Sequence, residues 1–417
     1  MSLTKPSILA ATLLAAPSAL AGPTETFAEP LPPAGEADAL SKWLTPKLDV
    51  RIRYEFRDED GFDASHALTA RTRAGLLTKS FNGFSAFGEL EGTYAIVDDY
   101  NAGALDASPD EPDATTISDP ENIELNRAWV QYNDGGPFSA KIGRQRIIRN
   151  NAAFIGNVGW RQNEQTYDAA AVAYQANGFK FDYAFANRTQ RIFGRDAATF
   201  FEEMEGEFHF IDISGELNEA TIGGYAYLID VDEVDGVAPS TNVGESNTFG
   251  AWIKTHGLHA ELAWQDGEST LASGDGDYDA FYGHIKYDCK TNAGTFGIGL
   301  EYLEEYFKTP FATVHAFNGF ADAFIGQRIG LNDKGGAYEG LSDIYLSYVK
   351  PLPCDYTFKA FFHYFMDDGF SDTYGYEADA VLVKKIDENL TAVLKLAAFF
   401  EDDGTGGYED IQQASLG

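Results

Sequence analysis

The sequence predicts an all-β fold, a transmembrane antiparallel β-barrel of about 18 strands with short periplasmic turns and long extracellular loops. Three observations predict it. Apolar and polar residues alternate along segments of about ten residues, the chain begins with a signal peptide, and short turns alternate with long, mostly acidic loops. A soluble β-sandwich would turn its apolar faces inward, whereas a transmembrane barrel turns them to lipid and lines a wet lumen with its charges.

The alternation is clearest in the first two segments, residues 48–57 and 68–79, in which apolar side chains recur at every second position. Such a period indicates a β-strand with one apolar and one polar face. An arginine costs roughly 2–4 kcal/mol at the lipid midplane, so four on one phase would cost on the order of 10 kcal/mol. We therefore expect four arginines on the polar phase to face water, namely Arg51, Arg53, Arg71 and Arg73.

The N-terminal segment has the three parts of a secretory signal peptide. Residues 1–5 carry one positive charge, residues 8–16 are apolar, and Ala19-Leu20-Ala21 is an A-x-A cleavage site. The apolar run is too short to span a membrane. We assign residues 1–21 to the signal peptide, residues 22–45 to a periplasmic linker and residues 46–417 to the barrel, with a short last strand.

Short turns and long loops alternate along the chain. Short turns are predicted at eight places, residues 81–84, 134–137, 176–178, 215–218, 255–257, 290–294, 351–355 and 386–389. Nine longer connections separate them, residues 58–65, 98–121, 148–165, 192–204, 231–246, 266–277, 308–338, 367–373 and 402–408. Outer-membrane barrels have this arrangement, and an even strand count leaves both termini in the periplasm. The sequence therefore predicts the cell outer membrane of a Gram-negative-type bacterium as the location.

Two blocks, residues 141–146 (KIGRQR) and 154–168 (FIGNVGWRQNEQTYD), resemble the signature of the alginate export family of outer-membrane porins. Residues 314–324 and 375–379 are similar to further parts of that family. The resemblance spans roughly residues 48–417. It implies an eighteen-stranded barrel that passes anionic polysaccharide or related solutes, and the turns alone give the same strand count.

The candidate pore-lining residues are mostly cationic. They are Arg51, Arg53, Arg71, Arg73, Glu89, Glu91, Arg127, Lys141, Arg144, Arg146, Arg161 and Arg188. Guanidinium groups pair with carboxylate or sulfate in bidentate fashion, which suits uronates or sulfated sugars. In the alternative interpretation, these charges neutralise one another and only keep the lumen wet. Arg144 and Arg146 share the phase of apolar neighbours, and a bulge at Gly143 would redirect them.

The long connection at residues 308–338 is too apolar to be merely solvated. We expect it to fold into the barrel mouth as a constriction, and the alternative is a cap packed on neighbouring loops. Its candidate constriction residues are His315, Phe317, Asn318, Phe320 and Asp322.

The formal net charge is −35, and much of it lies in outer loops such as residues 98–121, which hold eight acidic residues and no Lys or Arg. These loops would be solvated or would bind divalent ions beside lipopolysaccharide phosphates. Whether these loops bind a structural Ca²⁺ stays open, although the spacing of their acidic residues matches no EF-hand. We expect no other metal or cofactor.

Two cysteines, Cys289 and Cys354, fall at predicted periplasmic turns. At about 4.8 Å for each of three strand steps they lie too far apart for a disulfide unless the turns lean together. Whether they pair stays open at this point.

The sequence favours transport over catalysis. It contains neither G-x-S-x-G nor H-E-x-x-H. An outer-membrane hydrolase built from separate strands, a secreted carbohydrate-binding β-protein, a general diffusion porin and a nutrient-uptake channel remain alternatives. Our hypothesis is a monomeric channel for anionic saccharides (alginate-like polyuronate) or small acidic solutes. Its expected partners are outer-membrane lipid, lipopolysaccharide and the barrel assembly machinery, with no nucleic acid.

Overall fold

The structure is a computed structural model that describes residues 42–103, 108–232, 244–269, 276–330, 339–402 and 407–417. The predicted signal peptide and most of the predicted linker lie outside these residues, as does Asp106 of the outer loop. The first strand begins at Leu44, just before the predicted boundary at residue 46.

Within the described ranges the chain forms eighteen strands in one sheet. They are β1 (Leu44–Glu59), β2 (Ser65–Thr78), β3 (Phe84–Asp99), β4 (Asn122–Asn133), β5 (Phe138–Gln145), β6 (Thr166–Ala176), β7 (Phe179–Gln190), β8 (Glu203–Leu217), β9 (Ala220–Val231), β10 (Glu245–Thr255), β11 (Leu258–Ser269), β12 (Gly276–Thr291), β13 (Gly294–Leu303), β14 (Leu341–Leu352), β15 (Tyr356–Met366), β16 (Thr373–Lys385), β17 (Thr391–Glu401) and β18 (Ile411–Leu416). Short helical segments are α1 (Thr199–Glu202), a 3₁₀ turn (Val314–Ala316) and α2 (Ile325–Arg328). No helix in the described ranges is long and apolar enough to cross a membrane.

Each strand pairs antiparallel with the next along the chain, and β18 closes the sheet on β1. In that closing pair Glu55 lies opposite Ser415. Closure satisfies the backbone of both terminal strands and leaves the sheet without an edge. The prediction of an eighteen-stranded antiparallel barrel is confirmed.

The connections also follow the predicted alternation. Each of the eight short turns joins an even-numbered strand to the next odd-numbered one, and the longer connections lie at the other end of the barrel. At the β2–β3 turn Asn82 and Gly83 have φ of 50° and 85°. Two successive left-handed residues form a type I′ turn, whose twist matches that of the paired strands.

The two faces of the sheet differ as the alternation predicts. On β1 the outward side chains of Leu48 and Ile52 are 73% and 58% exposed. The inward side chains of Arg53 on β1 and Arg71 on β2 are 2% and 1% exposed. The apolar face therefore lies outside and the charged face inside.

Two long connections fold into the barrel and supply an internal core. We name residues 146–165, between β5 and β6, loop A, and the described residues 304–330, after β13, loop B. Phe311 of loop B packs edge-on against Phe208 of β8 at 4.9 Å between ring centroids. Phe154 of loop A lies 5.0 Å from Tyr282 of β12. The largest apolar cluster thus lies inside the lumen, mainly against β6–β13.

Candidate functional site

Loops A and B bind each other through their backbones. Gly156 N donates to Phe311 O at 2.8 Å, and Thr313 N donates to Ala152 O at 3.0 Å. Val158 N donates to Thr313 Oγ1 at 3.0 Å. A Cβ on Gly156 would lie 2.1 Å from Thr313 Oγ1, so only glycine allows this approach. The loops therefore form one unit inside the barrel.

Aromatic and cationic side chains complete the loop contact. Trp160 of loop A stacks on His315 of loop B with ring centroids 4.4 Å apart and planes 5° apart. Lys395 of β17 places Nζ 3.5 Å from the Trp160 ring centre and 4.1 Å from that of Phe320. A cation over the face of an indole is attracted by the ring quadrupole. Lys395 thus attaches both loops to the wall.

The imidazole of His315 is neutral and connects Asp322 to Lys395. Burial lowers the pKa of the His315 imidazole to about 3, although Asp322 acts in the opposite direction. The neutral ring donates from Nδ1 to Asp322 at 2.8 Å and accepts at Nε2 from Lys395. Burial opposes ionisation of Asp322, but His315 and Arg161 hold the pKa of this carboxyl below its ordinary value.

The inward arginines of β1, β2 and β4 form what we name the arginine wall, Arg51, Arg53, Arg57, Arg71, Arg73 and Arg127. Most of its members have carboxylate partners. Arg53 pairs with Asp119 of the β3–β4 connection, and Arg73 pairs with Glu91 of β3. Arg71 pairs with Asp49, Arg57 with Glu59 at 3.0 Å, and Arg127 with Glu89 at 2.8 Å.

Arg51 differs from the rest of the wall. Its NH1 donates to the carbonyls of Trp160 and Arg161 at 2.8 and 3.0 Å, and its NH2 donates to that of Gly159 at 2.9 Å. Carbonyl dipoles bind the guanidinium without cancelling its charge. Arg51 thus holds loop A in place and keeps a net positive charge.

Glu164 of loop A joins several cations. Arg146 donates to it from two nitrogens at 2.6 and 2.7 Å, and Arg73 and Arg127 lie 3.7 and 4.0 Å away. Burial would favour the protonated acid, but Arg146, Arg73 and Arg127 hold the pKa of Glu164 well below its ordinary value. The carboxylate is therefore a fixed charge that docks loop A on the wall.

Arg161 also docks loop A, through ion pairs with β1 and with loop B. It pairs with Glu55 of β1 at 3.0 Å and with Asp322 of loop B at 3.3 Å. Burial acts against its charge, yet Glu55, Asp119 and Asp322 raise the pKa of Arg161 above its ordinary value. This one side chain connects the wall and both loops.

Lys141 and Arg127 are buried on the inward face of β5 and β4. Lys141 of β5 lies 4.6 Å from the ring centre of Trp129. On β4, Asn126 is an extra residue relative to β3, because Glu89 lies opposite Arg127 and Leu90 opposite Leu125. This bulge turns both Asn126 and Arg127 inward, where both are buried.

The expectation that Arg144 lines the lumen is wrong. The β4–β5 register runs unbroken past Gly143, so no bulge redirects the side chain. Arg144 shares the outward face with exposed Ile142 and makes a bidentate pair with Asp168 at 2.8 and 2.9 Å. Arg146 lies beyond the end of β5 and is free to turn inward to Glu164.

Arg188 also differs from the expectation. In β7, Asn187 is an extra residue relative to β6, because Asp168 lies opposite Arg188 and Ala169 opposite Ala186. The bulge reverses the phase and turns Arg188 outward, where it pairs with Glu205 of β8. Arg144 thus keeps the simple strand phase, whereas a bulge reverses that phase at Arg188.

The candidate constriction residues lie inside the barrel. Asn318 donates to Glu301 of β13 at 2.9 Å, and Ala321 N donates to Glu377 of β16 at 2.7 Å. Arg57 of β1 donates to Ala321 O at 2.6 Å. Loop B is therefore fixed to the inner wall on two sides.

A small cavity remains between loop B and strands β12–β15. Its volume is about 40 Å³, and its lining includes Lys286, Phe317, Tyr345 and His363. One water needs roughly 10–15 Å³ of such space, so only a few waters fit. The gap between loop B and this part of the wall is therefore small.

Several inward charges escaped the sequence analysis. Arg328 of loop B pairs with Glu301 at 3.0 Å, and His363 of β15 pairs with Asp343 of β14 at 2.9 Å. Their strands alternate as β1 does, so phase alone would have assigned Glu301, Asp343 and His363 to the lumen. Their partners depend on the path of loop B, which no local pattern reveals.

Lysines occupy the wall opposite the arginines. Lys254, Lys286 and Lys359 lie on inward positions of β10, β12 and β15, toward the short turns. Lys254 Nζ lies 4.8 Å from the Trp252 ring centre, and Lys286 pairs with Asp288 at 3.2 Å. Among the described residues we find no ion pair for Lys254 or Lys359. The same strands also carry inward carboxylates, among them Glu261, Glu301 and Asp343, so Lys254 and Lys359 are distinguished by lacking an ion pair and not by an excess of positive charge.

An acidic group on the outer side involves Glu339, Asp367 and Asp372, whose ligand atoms lie within 4.8 Å of one another. Asp367 Oδ1 already accepts the backbone N–H groups of Ser371 and Asp372 at 2.7 and 2.9 Å. These bonds shape the loop, so the calcium expectation for the acidic outer loops stays a prediction.

A closed barrel with an apolar exterior, a charged interior and loops folded into its lumen defines the class of outer-membrane channels of Gram-negative-type bacteria. The sequence places the chain within that class. It belongs to the alginate export family, whose model matches residues 42–304. No curated protein sequence matches the chain significantly.

Solved structures with this fold share little sequence with the chain. OpdK of Pseudomonas aeruginosa, determined with vanillate, is 12% identical, with a TM-score of 0.61 over 89% of this chain and 97% of that one. OccK9 (OpdG) of the same organism is 11% identical, with a TM-score of 0.63 over 89% and 97%. OccAB3 of Acinetobacter baumannii is 10% identical, with a TM-score of 0.63 over 89% and 98%. At these identities the likeness shows the barrel fold alone.

Proposed function

We propose that the protein is a narrow channel that passes anionic saccharides of the alginate-like polyuronate kind, or small acidic solutes. The observation that carries this proposal is a pair of inward lysines, Lys254 on β10 and Lys359 on β15. Lys254 and Lys359 face the lumen without an ion pair among the described residues, and loops A and B occupy part of that lumen. Fixed positive charge beside a narrow aqueous path raises the local concentration of anions.

The arginine wall has a different role in this proposal. Five of its six arginines pair with a carboxylate, so the wall positions loop A and contributes little to the field in the lumen. The five carboxylates are Asp119, Glu91, Asp49, Glu59 and Glu89. Arg51 is the exception, because its partners are carbonyls. We propose that a solute meets Arg51 on one side and the lysines on the other. This assignment modifies the hypothesis that all the arginines select anions.

The comparisons support an anionic substrate from two directions. The family takes its name from the export of alginate, a polyuronate. One structural neighbour was determined with vanillate, a small aromatic carboxylate. Both molecules carry carboxylates, which ammonium and guanidinium groups bind.

Solute entry into proteoliposomes tests the proposal. Glucuronate and glucose have similar size and differ in charge. We expect glucuronate to enter several-fold faster, whereas a general diffusion porin would pass the two at similar rates. Faster entry of glucose would overturn the proposal.

Ion selectivity, compared between matched variants, is a second test. In a tenfold KCl gradient across a planar bilayer, we expect the reversal potential of the wild type to have the sign of an anion-selective channel. The double variant Lys254→Gln with Lys359→Gln should shift this potential toward zero. Lys384→Gln is the control, because Lys384 lies over Tyr356 at a partly exposed turn end. An equal effect of the control, or no conductance in the wild type, would contradict the channel mechanism.

The finer properties of the protein are also proposals. We propose that one chain forms one channel, that the barrel assembly machinery inserts it, and that it carries out transport without catalysis. The closed sheet of a single chain supports the first point. Crosslinking in native outer membranes should show the mass of one chain, and a dominant dimer or trimer would refute it.

A further inference from the structure

Three potential metal ligands meet on the inner wall, and one of them, His284, borders the cavity beside loop B. His259 and Glu261 occupy successive inward positions of β11, and His284 of β12 lies directly opposite Glu261. One ligand atom from each lies within 4.8 Å of those of the others. His259 Nε2 is 3.5 Å from Glu261 Oε2, and the two imidazole rings are 5.2 Å apart at 87°.

Two phenols orient these side chains. Tyr225 of β9 donates to Glu261 Oε1 at 2.7 Å, which leaves Oε2 toward His259. Tyr345 of β14 shares a hydrogen bond of 2.7 Å with His284 Nε2. Protein metal ligands are commonly held in this way by an outer layer of hydrogen bonds, which fixes their rotamers and the imidazole tautomer.

His284 also has an unexplained buried atom. Its side chain is 7% exposed, and Nδ1 has no hydrogen-bond partner among the described residues. Buried polar atoms in folded proteins nearly always have a partner, so each exception requires an explanation. Imidazoles that bind metal ions usually hydrogen-bond through one nitrogen and coordinate the metal through the other. The imidazole of His284 has this arrangement, with Nε2 hydrogen-bonded to Tyr345 and Nδ1 unused.

We propose that His259, Glu261 and His284 bind a divalent transition-metal ion, for which Zn²⁺ is the probe. Two imidazoles and one carboxylate suit Zn²⁺ and neighbouring metals, whereas Ca²⁺ and Mg²⁺ require more oxygen ligands. Bonds of about 2 Å in a tetrahedron place ligand atoms about 3.3 Å apart, so small rotations of the side chains close the site. The fourth position faces the lumen and takes water.

Neighbouring cations weaken the site without abolishing it. Lys254 and Lys286 lie opposite His259 on the two flanking strands. Their charges repel a dication, and the carboxylate of Glu261 offsets part of that repulsion. Lys254→Gln should therefore tighten Zn²⁺ binding, which a purely structural role of the histidines would not produce.

Calorimetric titration of the metal-free, detergent-solubilised protein with ZnCl₂ tests the proposal. We expect one Zn²⁺ per chain, with affinity reduced at least tenfold in His284→Gln and in His259→Gln. His209→Gln is the matched control, because His209 lies on the outward face of β8, hydrogen-bonded to Tyr183. Heat-modifiable migration in gels verifies that each variant is a folded barrel.

Two further measurements separate a built site from adventitious binding. Bound Co²⁺ should show the visible absorption that is typical of a metal ion in a low-symmetry site, and Glu261→Gln should remove this absorption. Titration with CaCl₂ should give no heat comparable to that of ZnCl₂. Equal Zn²⁺ affinity in the wild type and in His284→Gln would overturn the proposal. Because these readouts measure binding without transport, they are independent of the proposed channel function.

Discussion

The indole of Trp160 and the imidazole of His315 lie parallel inside the barrel, 4.4 Å apart, although 154 residues separate them in the chain. This contact joins the two loops that narrow the lumen. Lys395 reaches both the indole and the imidazole, so the contact also connects the loops to the wall.

Breaking the stack should widen the channel. Trp160→Ala removes the ring that holds His315 and Lys395, and an aromatic contact of this kind stabilises by about 0.5–1.5 kcal/mol beyond its buried area. We expect a higher single-channel conductance with more open-channel noise. Trp43→Ala is the control, because Trp43 is exposed. Unchanged conductance in Trp160→Ala would show that the stack does not limit the passage.

Acid should undock the loop unit. An undocked His315 titrates near pH 6.5, whereas burial lowers the pKa of the docked ring to about 3. Between these values the undocked state binds a proton that the docked state does not, so docking weakens as pH falls, by up to about 1.4 kcal/mol per pH unit. Asp322, whose pKa is held below its ordinary value, adds to this loss only below about pH 4.

Conductance recorded from pH 7 to pH 4 measures this effect. It should rise with acidity in the wild type and stay flatter in His315→Gln, which retains a polar side chain without titrating. His66→Gln is the control, because His66 bonds Tyr54 on the outer side of the barrel. The same pH profile in His315→Gln and wild type would assign the titration to other groups.

Removing Glu164 should release loop A. The Gln variant leaves Arg146, Arg73 and Arg127 with fewer carboxylates, and breaking a buried ion pair costs about 3–5 kcal/mol. We expect faster cleavage of loop A by added protease and stronger anion preference. Glu219→Gln, at an exposed turn, should do neither. Protease resistance equal to that of the wild type would show that Glu164 is dispensable for docking.

Replacing Arg51, Arg53, Arg71 and Arg73 together by Gln should move the reversal potential toward cation preference while the barrel stays folded. The change leaves the partner carboxylates unbalanced. Gln at Asp110 and Asp113, which are exposed in the outer connection, should alter selectivity little. Wild-type selectivity in the quadruple variant would limit the wall to a structural role.

Both cysteines should be reduced. Cys289 and Cys354 are exposed and unpaired. Labelling of the denatured, unreduced protein should find two free thiols per chain, and fewer than two would indicate a disulfide or oxidation.

The sequence by itself determined the strands, their two faces and the alternation of short turns with long loops. These features are local, because side chains alternate across any strand and an Asn-Gly pair turns the chain wherever it stands. The inward position of Arg53 and Arg71 could therefore be read from their neighbours. The cost of placing charge in lipid then assigned that face to the lumen.

Only the tertiary structure decided what those charges do. The pairing of Arg53 with Asp119 and of Arg161 with Asp322 depends on where the long loops run, and no short-range pattern encodes that path. Arg188 turned outward because one extra residue reversed the strand phase. Local sterics set the barrel, whereas the match of buried charges across distant segments set most of its interior, because removing one partner of a buried ion pair is strongly destabilising.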